Sequence, residues 1–334
     1  MVRSSKWIKG TRPQHSITRV ASRSLRKRFK AVWYYAPLAA KKWEEDIEHV
    51  HQLRVATRRA RAALHLFSDL LPRRQTRWMK RRLRELRTAA GNARDLDVLA
   101  LRLQCIAEEK DGRHVRPVLE HVVALRRRAQ KPLAASYKKA RSKGFKKRSR
   151  AISKAIRWKH KEQEPTFAEA ARGKLAPLVD KFFTAAAADL SDIQALHQMR
   201  ISGKQVRYAM ELLAGAFDES FRRELYVIFA EVQEMLGTIN DHASAVTMFR
   251  EWRERADNNG SQAVLAELIA KEKTQLDAEC QGFRDWWTTE RARDLADHFA
   301  MLLELSSSST VASAPVEEPR EEKTEEMEAD SAVG

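Results

Sequence analysis

The segment HQLRVATRRARAALHLF beginning at His51 returns 146 residues later, without a gap, as HQMRISGKQVRYAMELL beginning at His197. A repeat at one fixed offset constrains a fold strongly, because each copy must bury an equivalent face. The offset carries Arg54 onto Arg200, Arg58 onto Lys204, Arg61 onto Arg207, Leu64 onto Met210 and Phe67 onto Leu213. It also carries Gly91-Asn92-Ala93-Arg94-Asp95 onto Gly237-Thr238-Ile239-Asn240-Asp241, so each histidine precedes its aspartate by 44 residues. The chain is therefore expected to hold two copies of one unit.

The unit reads as helical. Val50, Leu53, Ala60, Leu64 and Phe67 recur near the 3.6-residue period, with cations between them. Among 334 residues there are only 11 Gly and 9 Pro, which favours long helices with short connections. In the first half, helices are expected at about 15–35, through the motif to a stop before Pro72, and at about 75–90 with an apolar continuation to about 107. Gly91, between these last two stretches, is either a break or a point of close packing. A further helix at about 115–139 follows the Asp111-Gly112 turn. Their counterparts fall at about 165–188, 193–216, 219–252 and 261–304. The fold class expected is all-α, two pseudo-symmetric four-helix bundles at about 10–137 and 162–304.

Between the bundles, residues 138–161 form a basic linker, open to two readings: an extra anion-binding arm, or a solvated extension. From 305 to 334 the chain turns Ser-, Ala- and then Glu-rich, the composition of a disordered acidic tail. Cys105 and Cys280 have no disulfide or metal-ligand spacing and read as core thiols in a reducing compartment. With no apolar leader and no run of about 20 apolar residues, a cytoplasmic protein without membrane insertion is expected.

A formal charge of +18 concentrates anions at the surface, which leaves nucleic acid, polyphosphate and anionic lipid as candidate partners. His51, Arg54, Arg58 and Arg61 stand at i, i+3, i+7 and i+10, one face of a helix, and His197, Arg200, Lys204 and Arg207 repeat that spacing. Neighbouring like charges of this kind cost a helix about 0.2–0.5 kcal/mol per pair, so each row calls for an anion or for nearby carboxylates. Arg suits phosphate because its planar fork donates two parallel hydrogen bonds. If the rows face one another, they line a single basic channel. Asp95 and Asp241 are expected to orient guanidinium groups rather than to catalyse. Lys80, Arg84, Arg87 and Arg94 are weaker candidates for the same face, since the equivalents Tyr226, Ala230, Gln233 and Asn240 are not cations. His49 and His65 are unrepeated and read as incidental.

No phosphate loop, G-x-G-x-x-G or H-E-x-x-H motif occurs, and neither motif histidine has the neighbours of a metal ligand set. The economical expectation is binding without turnover, with neither cofactor nor metal. Two alternatives stand beside it. A non-sequence-specific nucleic-acid binder would interleave aromatics with its cations, and the rows contain only Tyr208 of that kind. A phosphate-metabolism enzyme would use His51 or His197 as phosphoryl acceptor.

The paired His-Gln-x-Arg helices, the cations behind them and the two Gly-x-x-[RN]-Asp segments resemble the CHAD family, the conserved histidine α-helical domain, over about residues 10–304. The resemblance implies two four-helix bundles around a basic central pore, binding of inorganic polyphosphate and recruitment to polyphosphate granules. Carried over position by position, it makes His51, Arg54, Arg58, Arg61, His197, Arg200, Lys204 and Arg207 the polyphosphate contacts. The triphosphatase domain that precedes the helical unit in some relatives has no counterpart here, so the resemblance does not extend to tripolyphosphate hydrolysis.

Overall fold

A computed structural model describes residues 5–109, 112–256 and 259–304. The acidic tail expected at 305–334 and Asp111 of the expected turn lie outside the described residues. Within them are ten α-helices and no strand: α1 (Ile17–Lys41), α2 (Glu48–Leu66), α3 (Arg73–Glu108), α4 (Arg116–Ser142), α5 (Phe145–Lys154), α6 (Phe167–Ala186), α7 (Ile193–Leu213), α8 (Tyr226–Glu254), α9 (Asn259–Trp286) and α10 (Thr289–Glu304).

Local chemistry accounts for several boundaries. Ser16 caps α1 by accepting from Arg19 N, and Thr166 with Glu169 forms a reciprocal capping box at the start of α6. Pro72 stands in extended backbone at the N-cap of α3, so it starts a helix; α2 has already ended at Leu66 and been followed by a short 3₁₀ turn. Gly91 is no break, since α3 runs through it as one helix of 36 residues. The last segment departs from expectation in the other direction. The single helix expected at 261–304 is two, α9 and α10, separated at Trp287-Thr288.

The expected linker is also a packed element. The C-terminal turn of α4 continues to Ser142, Gly144 turns the chain with a positive φ of 74°, and α5 then lies on α1. Phe145 and Ile152 are fully buried there, with the Phe145 ring stacked on Trp33 at 5.7 Å between centroids. The cations of α5 are left on its outer face. Cys280 is buried as expected, whereas Cys105 is exposed on α3, where Leu99 and Leu103 occupy the buried face instead.

Helices α1 to α4 close a ring of contacts, α1 on α2, α2 on α3, α3 on α4 and α4 back on α1. The halves meet like on like: α1 touches α6, α2 touches α7 and α4 touches α9. At the first of these contacts Ser16 and Thr166 form an isolated antiparallel bridge, and Phe167 N donates to the His15 carbonyl at 2.7 Å. The apolar core does not divide between the halves. One cluster runs from Leu25 and Phe29 through Leu53 and Leu64 to Phe182, Met210 and Phe229. A second, smaller cluster (Leu99, Leu103, Val118, Val122, Val246, Phe249, Leu265 and Ile269) joins the far ends of α3, α4, α8 and α9. Helices α2 and α7 both contribute buried residues to the larger cluster.

Candidate anion-binding site

Helix α2 buries Val50, Leu53, Ala60 and Leu64, and the turn spacing leaves Arg54, Arg58 and Arg61 half-buried at its margin. Helix α7 does the same with Leu196, Met199, Val206 and Met210, leaving Arg200, Lys204 and Arg207. Where α2 and α7 touch, two cavities open on either side. The first, about 920 Å³, is bounded by α2, α3, α6 and α7. The second, about 830 Å³, lies between α2, α3, α7 and α8 on the side of the smaller core. Both are lined by Arg54, Arg58, Arg200 and Lys204.

Their charge differs. The first holds eight Lys and Arg side chains and no carboxylate. The second holds seven, together with Asp95, Asp241 and Glu251. Arg61, Lys80 and Arg87 line the first cavity, and His51, Arg94 and Arg207 the second. Arg84 lines neither, being exposed on α3, although its charge is felt by Arg61. His197 also lines neither. It is exposed, and its Nδ1 lies 3.2 Å from Oδ1 of Asn240, the residue standing where the first half has Arg94.

Asp95 forms an ion pair with Nη1 of Arg54, which also donates to the Gly91 carbonyl at 3.3 Å. Asp241 is an attractive charge for both Arg200 and Lys204, and among the described residues Nε of Arg200 has no hydrogen-bond partner. Among the described residues, Nε of Arg58, Arg200 and Arg207 and Nη1 of Arg94 are buried without a hydrogen-bond partner. Buried donors of this kind cost free energy until an acceptor arrives.

The proton affinities follow from the crowding. Burial, then the charges of Arg200, Arg58 and Arg207, push the Lys204 ammonium down to about 7, with Asp241 opposing. Burial likewise lowers Arg58, Arg61 and Arg200. His51 is pushed down by burial and by Arg94, Arg58 and Arg54, against the pull of Glu48. An anion placed among these groups would offset the mutual repulsion of the cations, though not the cost of their burial.

The CHAD domain model matches residues 23–250, more than half of the chain. This chain belongs to the CHAD domain family. The crystal structure of the CHAD domain from the plant Ricinus communis superposes with a TM-score of 0.67 at 21% identity, covering 84% of this chain and 95% of that one. PptA from Streptomyces chartreusis superposes with a TM-score of 0.60 at 17% identity, covering 81% of this chain and 99% of PptA. No curated protein matches.

Within this CHAD fold, several contributors to the site escape sequence reasoning. Lys174 on α6 and His65 on α2 line the first cavity; at the repeat offset Lys174 corresponds to Arg28 and His65 to Glu211, and Lys174 is paired with Asp69 at 2.9 Å. Gln233 lines the second, 4% exposed, with neither amide atom hydrogen-bonded. It lies so close to α7 that a Cβ on Gly203 would meet its Nε2 at 2.0 Å, which explains a glycine inside that helix. Glu211, apolar-flanked and 1% exposed, receives Arg59 Nε at 2.6 Å and Tyr226 Oη at 3.2 Å. Arg59 sits one residue beyond the row cation Arg58, and only its partner 152 residues away distinguishes the two.

Proposed function

We propose that this protein binds inorganic polyphosphate along one continuous basic passage made of the two cavities, without turning it over. The observation that carries this reading is the carboxylate-free cavity of eight cations that shares Arg54, Arg58, Arg200 and Lys204 with its neighbour. Each α2 or α7 row of ten residues spans ~15 Å of helix, a length suited to several successive phosphates rather than one. The free guanidinium donors of Arg58, Arg94, Arg200 and Arg207 suit phosphate oxygens, which accept but do not donate. Like-on-like contacts between the halves favour a pseudo-two-fold arrangement of the rows about that passage. Membership of the CHAD family adds a link to polyphosphate. Bases would find little to stack on, since Tyr208 is the one Phe, Tyr or Trp among the lining residues and is 8% exposed. By the same reading the protein accumulates on polyphosphate-rich granules. Among the described residues no helix is long and apolar enough to cross a membrane.

The test is a titration with long-chain polyphosphate, tripolyphosphate, single-stranded DNA and RNA at one salt concentration. Polyphosphate is expected to bind most tightly, and equal affinity for DNA would overturn the preference. A variant with Arg54, Arg58, Arg200 and Lys204 all replaced by Ala is expected to lose binding with its helical content intact. Free phosphate, followed in the same samples, is expected to stay constant.

A further inference from the structure

The N-terminal half of α3 carries cations that the passage does not use. Taking about 100° per residue, Arg73, Arg77 and Arg84 share the face of Lys80 and Arg87, which line the first cavity. Arg74 and Arg81 lie on the adjoining face, next to Trp78. All five arginines are exposed, and none makes an ion pair among the described residues. Trp78 in turn lies under the Arg148 guanidinium of α5, 4.7 Å from the ring centroid. Beside it a cleft of about 520 Å³ is lined by Gln75 of α3 together with Lys143, Lys147 and Arg148. A surface that is cationic apart from Glu85, which is paired with Arg82 and Lys139, therefore leads from the first cavity around α3 to the cleft beside α5.

This surface costs α3 stability. Its first turn contains Arg73 and Arg74 and no acid, opposite to what the helix dipole favours, and Arg73 with Arg77 and Arg77 with Arg81 repel at i, i+4. Nor is it shared by the other half. At the repeat offset the five positions become Glu219, Ser220, Arg223, Val227 and Ala230, and Arg223 is paired with Glu219 at 3.0 Å. A general need for positive charge would not single out one of two equivalent helices.

We infer that the exposed arginines of α3 and the cleft beside α5 form an exit track that holds the polyphosphate chain after it leaves the first cavity, on the first-half side only. The inference rests on the passage as the primary polyphosphate site. From Arg73 to Arg84 the track adds ~16 Å along α3, so it acts on long chains and leaves short ones untouched. Arg84, outside both cavities yet felt by Arg61, stands at the junction. The basic segment at 138–161 thereby joins the binding surface through α5 rather than as a loose arm.

The test compares three full-length variants by titration with a polyphosphate of tens of phosphates and with tripolyphosphate, across a range of salt. The track variant replaces Arg73, Arg74, Arg77 and Arg81 with Ala. The passage variant replaces Arg54, Arg58, Arg200 and Lys204. A control removes equal charge at exposed cations of α8 and α9, Arg250, Arg253, Lys271 and Lys273, none of which lines either cavity or the cleft. The track variant is expected to keep tripolyphosphate affinity within about twofold and to lose at least about tenfold for the long chain. Its slope of log affinity against log salt should fall by about three, at ~0.7 per lost contact. Its melting temperature should not fall, since only repelling exposed charges are removed. Unchanged long-chain affinity, equal loss for tripolyphosphate or equal loss in the control would each overturn the track. The passage variant reports separately: if it keeps full affinity for both ligands, the passage is wrong whatever the track variant does.

Discussion

Arg59 of α2 and Glu211 of α7 meet in a two-pronged ion pair, Nε to Oε2 at 2.6 Å and Nη2 to Oε1 at 2.8 Å. The same carboxylate lies 3.7 Å from Arg28 of α1 and accepts from Tyr226 of α8, so one buried anion ties four helices together. Helices α2 and α7 are the two that carry the cation rows. The pair therefore bridges the two row-bearing helices directly and is expected to set how far one row is shifted along the other. Arg28, its charge reduced in proton affinity to about 10 by burial, depends on Glu211 for its only nearby carboxylate among the described residues.

Replacing Glu211 with Ala leaves Arg28 and Arg59 buried without an anion. The expected loss is about 3–5 kcal/mol, the range for breaking one side of a buried ion pair. Urea unfolding followed by circular dichroism measures it, and a loss under about 1 kcal/mol would show that the pair does not hold the halves in register.

Lys204 makes binding pH-dependent. In the free protein its proton affinity is pushed down to about 7, while a bound polyanion restores the charged form. Binding is thus expected to take up a proton at pH 7–9, and affinity to fall as pH rises through that window. Calorimetry in buffers of different ionisation enthalpy reads the uptake directly, and Lys204→Met should remove the Lys204 share. The sign for stability is opposite. An unfolded Lys204 holds its proton throughout this range and the folded one does not, so the lysine destabilises the free fold most below about pH 7 and progressively less as pH rises. Lys204→Met is expected to raise the melting temperature at pH 6 while weakening polyphosphate binding.

The helical glycines separate by their surroundings. Nothing lies within 4 Å of a Cβ placed on Gly237, so Gly237→Ala should stabilise α8 by roughly 0.5–1 kcal/mol through helix propensity. At Gly203 the same change drives a methyl into Gln233 and to 3.2 Å from Phe182 Cε2, and should destabilise instead. A pair of thermal melts decides it; stabilisation of both variants would mean that Gln233 moves freely into the second cavity.

The smaller core, with fewer buried apolar residues than the main one, is expected to be the first part of the molecule to open. Phe249, 1% exposed, belongs to it and not to the main cluster. Phe249→Ala is expected to cost about 3–5 kcal/mol and to lower hydrogen-exchange protection at the far ends of α3, α4, α8 and α9. Protection in α1 and α6 should persist. Uniform loss across all helices would show that the two clusters unfold as one.

Much of this was legible in the residues alone. Helix class, approximate helix bounds and the face shared by Arg54, Arg58 and Arg61 depend on local periodicity, where hydrogen bonds and side-chain directions repeat every 3.6 residues. The fixed offset identified Arg200, Lys204 and Arg207 as their partners. Local periodicity is silent about which helix faces which, because that depends on contacts between residues far apart in the chain. So it was the packing of α2 on α7 that gathered seven of the eight predicted contacts around two adjoining cavities and left His197 outside, held by Asn240. Packing also turned an expected linker into α5, because Phe145 and Ile152 found α1 to bury against. Glu211 is the clearest case: in sequence it is one acid in an apolar run, and only the approach of Arg28, Arg59 and Tyr226 from three other helices makes it the buried anion that joins the helices carrying the cation rows.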